Sequence, residues 1–213
     1  MDENFTAVIS RINPNLTVRV AKGHFATGSA HRSHYIDIFD LISSSLVARE
    51  AARFLAVPYL ANHIVDVIVY MDGTEILAAH LAEELINAGL GVINQGEDIL
   101  LVTPMTSSDG HFIFHQSIRE KITGKNAVLL VASMSTGATA DRVLECLSYY
   151  GCNLAGISSV FSAFSEVGGR TIHSLFDCTD IPDYHLYVPS ECVMCREGQK
   201  IDAIINAGGY TKL

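Results

Sequence analysis

Basic residues are scarce in this chain. Fourteen Lys and Arg stand against 23 Asp and Glu, a formal net charge of −9 over 213 residues. Such a surface repels a phosphate backbone at long range, which argues against nucleic acid as a partner. A small phosphorylated ligand is not excluded, because backbone N–H groups can hold it locally. Long apolar runs are missing too: none approaches the roughly 20 residues needed to cross a bilayer. The opening MDENFTAVIS has no apolar stretch of secretory-signal length. Five cysteines, an odd number, argue against a disulfide framework. Repeats and low-complexity tracts are absent, and none of the five prolines marks a domain boundary. What remains is 49% hydrophobic and 17% charged, the balance of a globular chain. The expectation is one domain, cytoplasmic, with no membrane contact.

The patterning alternates strands with helices. Ser43 to Ser45 offer N-caps to a helix with Val47, Ala51, Phe54 and Leu55 on one face. VDVIVYM (65–71) is β-rich and almost continuously apolar, as a strand covered on both faces should be. Residues 73–89 then place Leu77, Leu81 and Leu85 on one helical face and stop at Gly89. DILLVTP (98–104) reads as a short strand, and 105–117, with His111 and His115, as a mobile polar loop. Further strands are expected at 127–132, 153–163 and 170–177, with a helix carrying Val143, Leu144 and Leu147 before Gly151. This order predicts an α/β fold: a parallel sheet flanked by helices, with ligands at the turns that leave the carboxyl ends of its strands.

Two turns qualify, 71–75 and 132–140. In SMSTGATA, Gly137 frees the backbone, Ala138 keeps the approach open, and Ser135, Thr136 and Thr139 supply hydroxyls. The first N–H groups of the following helix point the same way, where the helix dipole favours an anion. Small polar residues can equally serve only as a helix cap.

VLLVASMSTGAT (128–139) resembles the PRPP-binding motif of type I phosphoribosyltransferases. Val128 to Val131 match its apolar part, and Ser135, Thr136, Gly137, Ala138 and Thr139 match the loop that holds a 5′-phosphate. KGHFATGSAHRSHYIDIFDL (22–41) is similar to the N-terminal signature of the orotate branch, and VDVIVYMDGTEILAAHLAEEL (65–85) to its pyrophosphate loop and helix. ECVMCREG (191–198) resembles a Cys-x-x-Cys-x-x-Gly ending of some members. The resemblance covers most of the chain in order. It implies a hood built from about 1–42 and 178–213, a homodimer, and Mg²⁺ if PRPP is bound. It also implies pyrophosphate contacts at Asp72, Gly73 and Thr74.

The departures bear on activity. Where active relatives carry two acids that bind the ribose hydroxyls, this chain has Ala132 and Ser133. Neutral side chains cannot supply hydrogen bonds worth about 1.5–3 kcal/mol to a charged group. The loop expected to neutralise pyrophosphate offers His111, His115 and Arg119, with Lys121 at its end, in no matching pattern. Ser162 and Ala163 stand where a base-reading Arg is common, and Asp72 and Glu75 flank a place meant for an anion. Phosphoribosyl transfer is therefore expected to be weak or lost, and the catalytic residues are left unassigned. The other reading of the same residues is a binding protein that senses a nucleotide or sugar phosphate.

Cys192 and Cys195 could be half of a zinc site completed by Cys178, His173 or His185. No second close-spaced Cys or His pair accompanies them in that reading. Reduced thiols packed near the C-terminus are expected instead, and no metal ligand is assigned. His24, His31 and His34 form a separate cluster near the expected substrate, where Phe25 and Tyr35 could stack on a flat ring; His111, in its loop, is a further candidate substrate contact.

Overall fold

In the computed structural model, residues 5–71, 73–87, 93–206 and 209–213 are described. The chain opens with antiparallel strands β1 (Phe5–Ile9), β2 (Thr17–Ala26) and β3 (His31–Asp37). Helices α1 (Phe39–Ser43) and α2 (Ser45–Ala56) follow. Ser44 is the residue preceding α2, yet its side chain makes no capping bond; its carbonyl accepts from Ala48 N–H at 2.7 Å. The face of α2 that is buried consists of Ala48, Ala51, Ala52, Leu55 and Ala56, with Val47 and Phe54 at its margin.

Next come β4 (Val67–Tyr70), α3 (Glu75–Asn87) and β5 (Leu100–Val102). Leu77, Leu81 and Leu85 are fully buried, as their spacing predicts. The expected helix end at Gly89 and the predicted anion contact Asp72 lie outside the described residues. The segment 105–117 is not a loop throughout: β6 (Met105–Thr106) and β7 (Phe112–Ile113) pair as a hairpin, and α4 (Gln116–Ile122) follows. Its order has a physical source. Ser107 N–H donates to the His111 carbonyl at 2.8 Å, Phe114 is fully buried, and Arg142 stacks on Phe112 at 4.8 Å.

The remaining elements are β8 (Asn126–Met134), α5 (Ala138–Tyr149), β9 (Asn153–Ser162), β10 (Glu166–Val167) and β11 (Arg170–Asp177). The chain closes with β12 (Leu186–Tyr187), α6 (Val193–Arg196), β13 (Ala203–Asn206) and β14 (Gly209–Lys212). β8 runs two residues further than its apolar run suggests, because Ser133 and Met134 still pair with Phe161 and Ser162 of β9.

One sheet has the order β10-β11-β9-β8-β4-β5, parallel apart from β10. Counting only its parallel strands in chain order, this is the doubly wound arrangement 2-1-3-4-5, whose switch point falls between β4 and β8. Strand alternation divides the core between its faces. Ile68, Val128 and Leu130 pack under α2 and α3, while Val67, Val69, Leu129 and Val131 pack under α4 and α5. A second sheet, β12-β3-β2-β13-β14 with β1 on β2, is built from both ends of the chain. Leu16, Val18 and Val20 of this hood enter the same core as α2 and α3, and Ser10 Oγ donates to the Leu175 carbonyl at 2.7 Å.

Candidate phosphate-binding site

The switch point sends α3 and α5 to opposite faces of the sheet, so the turns after β4 and β8 open a crevice at the strands' carboxyl ends. The two turns differ in how their polar groups are used.

After β8, Gly137 sits at φ +76°, in the left-handed region, and is the N-cap of α5. A Cβ there would lie 3.4 Å from the Phe164 ring, so glycine answers both the backbone conformation and the close approach. The Gly137 carbonyl takes the Asp141 N–H at 2.9 Å, the first backbone bond of the helix. The N–H groups of Ala138, Thr139 and Ala140 precede it and have no intrahelical acceptor. A cavity of about 190 Å³ opens over this turn, lined by Ser133, Ser135, Thr136, Gly137 and Thr139 from below. Its opposite wall comes from the hood: Thr27, Ser29 and Arg32.

Arg32 is the residue that sequence reasoning missed. Its Nε is buried and has no hydrogen-bond partner. The Tyr184 hydroxyl beside it is likewise buried and unpartnered in geometry. Burial raises the Tyr184 pKa, with the Arg32 charge and the Ser135 side chain acting in the opposite direction. A buried guanidinium nitrogen without an acceptor, above a row of helix N–H groups, is a receptor for an anion. The signal was in the sequence: Arg32 is the one Lys or Arg among the histidines of SAHRSHY.

The turn after β4 engages several of its own donors. Glu75 Oε1 accepts the Gly73 N–H at 3.2 Å, while Thr74 Oγ1 and N–H both donate to the Met71 carbonyl, at 2.6 and 3.1 Å. Thr74 is fully buried.

Other predicted residues are dispersed. Phe25 and Tyr35 lie in a separate hood cavity with Phe5, Lys22 and Tyr210, away from the phosphate turn. His111 is exposed in the β6–β7 turn, paired with Asp109 at 3.0 Å, and does not line the 190 Å³ cavity. Ala132 is half-buried and Ser133 exposed at the end of β8, so no carboxylate stands there. Ser162 is buried, its hydroxyl donating to the Phe164 carbonyl at 2.7 Å. The histidine cluster divides by strand parity. His34, on the Arg32 face of β3, bonds Ser33 Oγ at 2.8 Å and stacks near Tyr184. Burial and then the charge of Lys22 lower its pKa, so it is neutral near pH 7. His31 joins His24, Cys192 and Cys195 on the other face. The partners first considered for that cysteine pair lie elsewhere: His173 packs on Tyr59, Cys178 bonds the Ala163 carbonyl, and His185 stacks near Tyr187.

No protein-family model matches the chain, and no curated protein does. Solved structures do. A UMP synthase of Leishmania donovani superposes with a TM-score of 0.52 at 19% identity, over 75% of this chain and 34% of that longer one, about a third of its length. An adenine phosphoribosyltransferase of Thermoanaerobacter pseudethanolicus gives 0.52 at 13% identity, over 81% and 95% of the two chains. That of Rhodothermus marinus gives 0.50 at 13%, over 82% and 94%. With the strand order and the switch-point turns described above, this establishes that the chain has the type I phosphoribosyltransferase fold.

Proposed function

We propose that this protein binds a small phosphorylated ligand of the phosphoribosyl type, PRPP or a nucleotide 5′-phosphate. The phosphate is held by residues 135–139 and by Arg32. The observation that carries this reading is the pairing of an open helix N-terminus at Gly137 with the unpartnered, buried Arg32 Nε across the same cavity. The resemblance to the orotate branch supports a pyrimidine-type ligand.

Phosphoribosyl transfer is weak or lost in this reading. Ala132 and Ser133 offer the ribose hydroxyls no charge, and Glu75 already occupies the Gly73 N–H that a pyrophosphate would use. Mg²⁺ would arrive with PRPP, since Glu75 is engaged by the Gly73 N–H. The engagement of the Gly73 N–H by Glu75 favours the second reading within the same site, a non-catalytic sensor of nucleotide or sugar phosphates acting as a homodimer. Among the described residues no helix is long and apolar enough to cross a membrane.

Calorimetric titration with ribose 5-phosphate and PRPP, each with and without Mg²⁺, tests the proposal. Similar, Mg²⁺-independent affinities are expected. Robust Mg²⁺- and orotate-dependent release of pyrophosphate would overturn the loss of transfer, and failure of both ligands to bind would overturn the site. Size-exclusion chromatography with light scattering tests the homodimer.

A further inference from the structure

Four side chains from the two ends of the chain converge within the hood. His24 and His31 flank the turn between β2 and β3, and Cys192 and Cys195 flank the start of α6. Their ligating atoms all lie within 4.8 Å of one another. His24 Nε2 is 3.0 Å from His31 Nδ1, 3.5 Å from Cys192 Sγ and 3.6 Å from Cys195 Sγ, and Cys195 Sγ is 3.3 Å from His31 Nδ1.

Those separations can be compared with a metal polyhedron. Zinc bonds of about 2.05 Å to nitrogen and 2.3 Å to sulfur, at tetrahedral angles, put N···N at about 3.4 Å and N···S at about 3.6 Å. These four edges are within a few tenths of an ångström of their counterparts, and the remaining two are no longer than 4.8 Å. Both cysteines are free thiols. His24, Cys192 and His31 are only 0%, 1% and 9% exposed, so their polar atoms need partners, while Cys195 closes the cluster from the exposed side.

The surroundings orient the donors. His24 Nδ1 lies 2.9 Å from the Gln199 carbonyl, an acceptor only, so Nδ1 carries the proton and the Nε2 lone pair faces the thiols. The backbone of the same residue is clamped as well: its N–H donates to Asp202 Oδ2 at 2.7 Å and its carbonyl accepts from Asp202 N–H at 2.8 Å. A pairing irregularity between Lys22 and Phe25 sets His24 in this position. Gly23 permits it, since a Cβ there would lie 2.7 Å from Asp202 Oδ2.

We propose that His24 Nε2, His31 Nδ1, Cys192 Sγ and Cys195 Sγ form a structural site for one zinc ion that ties the β2–β3 hairpin to the C-terminal tail. Two thiolates and two imidazoles in tetrahedral array suit Zn²⁺, and four protein ligands leave no open position for catalysis. Binding replaces the two thiol protons by the metal, with both imidazoles neutral. The site stands independently of the ligand reading given above.

The test is metal analysis of the full chain purified without chelator, with Co²⁺ substitution and thiol counting. One zinc per chain is expected, and the Co²⁺ protein should show tetrahedral visible bands with thiolate charge transfer. Cys195→Ser and His31→Ala should each bind Co²⁺ at least about 100-fold more weakly than wild type, while Cys178→Ser should retain full stoichiometry. Chelation should lower the wild-type Tm. A folded, metal-free protein that gives no thiolate band with Co²⁺ would overturn the proposal. So would iron in place of zinc, or a Cys192–Cys195 disulfide. The wild-type Co²⁺ spectrum decides the matter even if a variant fails to fold.

Discussion

The turns after β4 and β8 leave neighbouring strands of one sheet at its switch point, and each opens a helix. Their sequences, GTE and STGAT, both look built for an anion. In the β4 turn Glu75 takes the Gly73 N–H and the Met71 carbonyl takes both donors of Thr74. The β8 turn leaves its N–H groups open below a buried Arg32 Nε that lacks an acceptor. A carboxylate supplied by the chain competes with an anionic ligand for the N–H groups of a helix N-terminus. The β4 turn therefore sets its own carboxylate on the Gly73 N–H, whereas the β8 turn faces Arg32 across a cavity.

The sharpest way to break that contrast is at Arg32. Arg32→Met keeps most of the side-chain volume and removes the guanidinium. Losing a charge-assisted hydrogen bond of about 1.5–3 kcal/mol should weaken ribose 5-phosphate binding about 10- to 150-fold. Calorimetry reads this directly, and an unchanged Kd would remove Arg32 from the site.

The opposite end of the same two strands offers a control. Asp66 Oδ2 accepts both the N–H and the side-chain amide of Asn126 at 2.8 Å, pinning β4 to β8 at their amino ends. Burial alone would raise the Asp66 pKa; the Asn126 N–H, Lys125 and the Asn126 amide outweigh it and hold the carboxyl below its usual range. A depressed carboxylate contributes stability above its unfolded pKa and loses it as pH falls through the folded one. Asp66→Ala should cost about 1–3 kcal/mol at pH 7 in urea unfolding, narrowing below about pH 4, with ligand affinity preserved. A loss of affinity equal to that of Arg32→Met would mean that the β8 turn is not a local receptor.

Gly137→Ala tests the backbone conformation itself. A left-handed alanine costs about 1–2 kcal/mol, and the added Cβ meets Phe164 at 3.4 Å. Chemical denaturation should show that loss together with a several-fold weaker phosphate affinity. An alanine variant with wild-type stability and affinity would show that the turn does not need its left-handed residue.

Much of this architecture was legible in the sequence because burial writes a pattern. β4 and β8 are covered on both faces and read as apolar runs, and α3 repeats Leu at four-residue spacing. The hood was legible only through resemblance, since its strands carry His, Arg and Lys toward cavities rather than a clean alternation. The β6–β7 hairpin has two residues per strand, too few for any period to show. Arg32 was hidden among histidines, and its role depends on the cavity that the β8 turn encloses with it. His24 and Cys192 are separated by 168 positions, so no local spacing could join them. Strand parity could have separated His34 from His31, because three residues apart along a strand means opposite faces.

The smallest expected effect is also the one that isolates the β4 turn. Glu75→Ala removes both the charge beside that turn and the acceptor of the Gly73 N–H; Glu75→Gln removes the charge while an amide oxygen can keep the bond. Each should cost no more than about 0.3–1 kcal/mol, the worth of a carboxylate in a helix's first turn. Ribose 5-phosphate, held at the β8 turn, should bind both variants as it binds wild type. PRPP carries a pyrophosphate to which the freed N–H could donate, so its affinity should rise a few-fold in Glu75→Ala and less in Glu75→Gln. That ordering would show that the chain's own carboxylate is what closes the second turn. Equal PRPP affinities in wild type and both variants would mean that the β4 turn is shut by Thr74 and Met71 alone, which moves the cause of closure from a charge to the backbone.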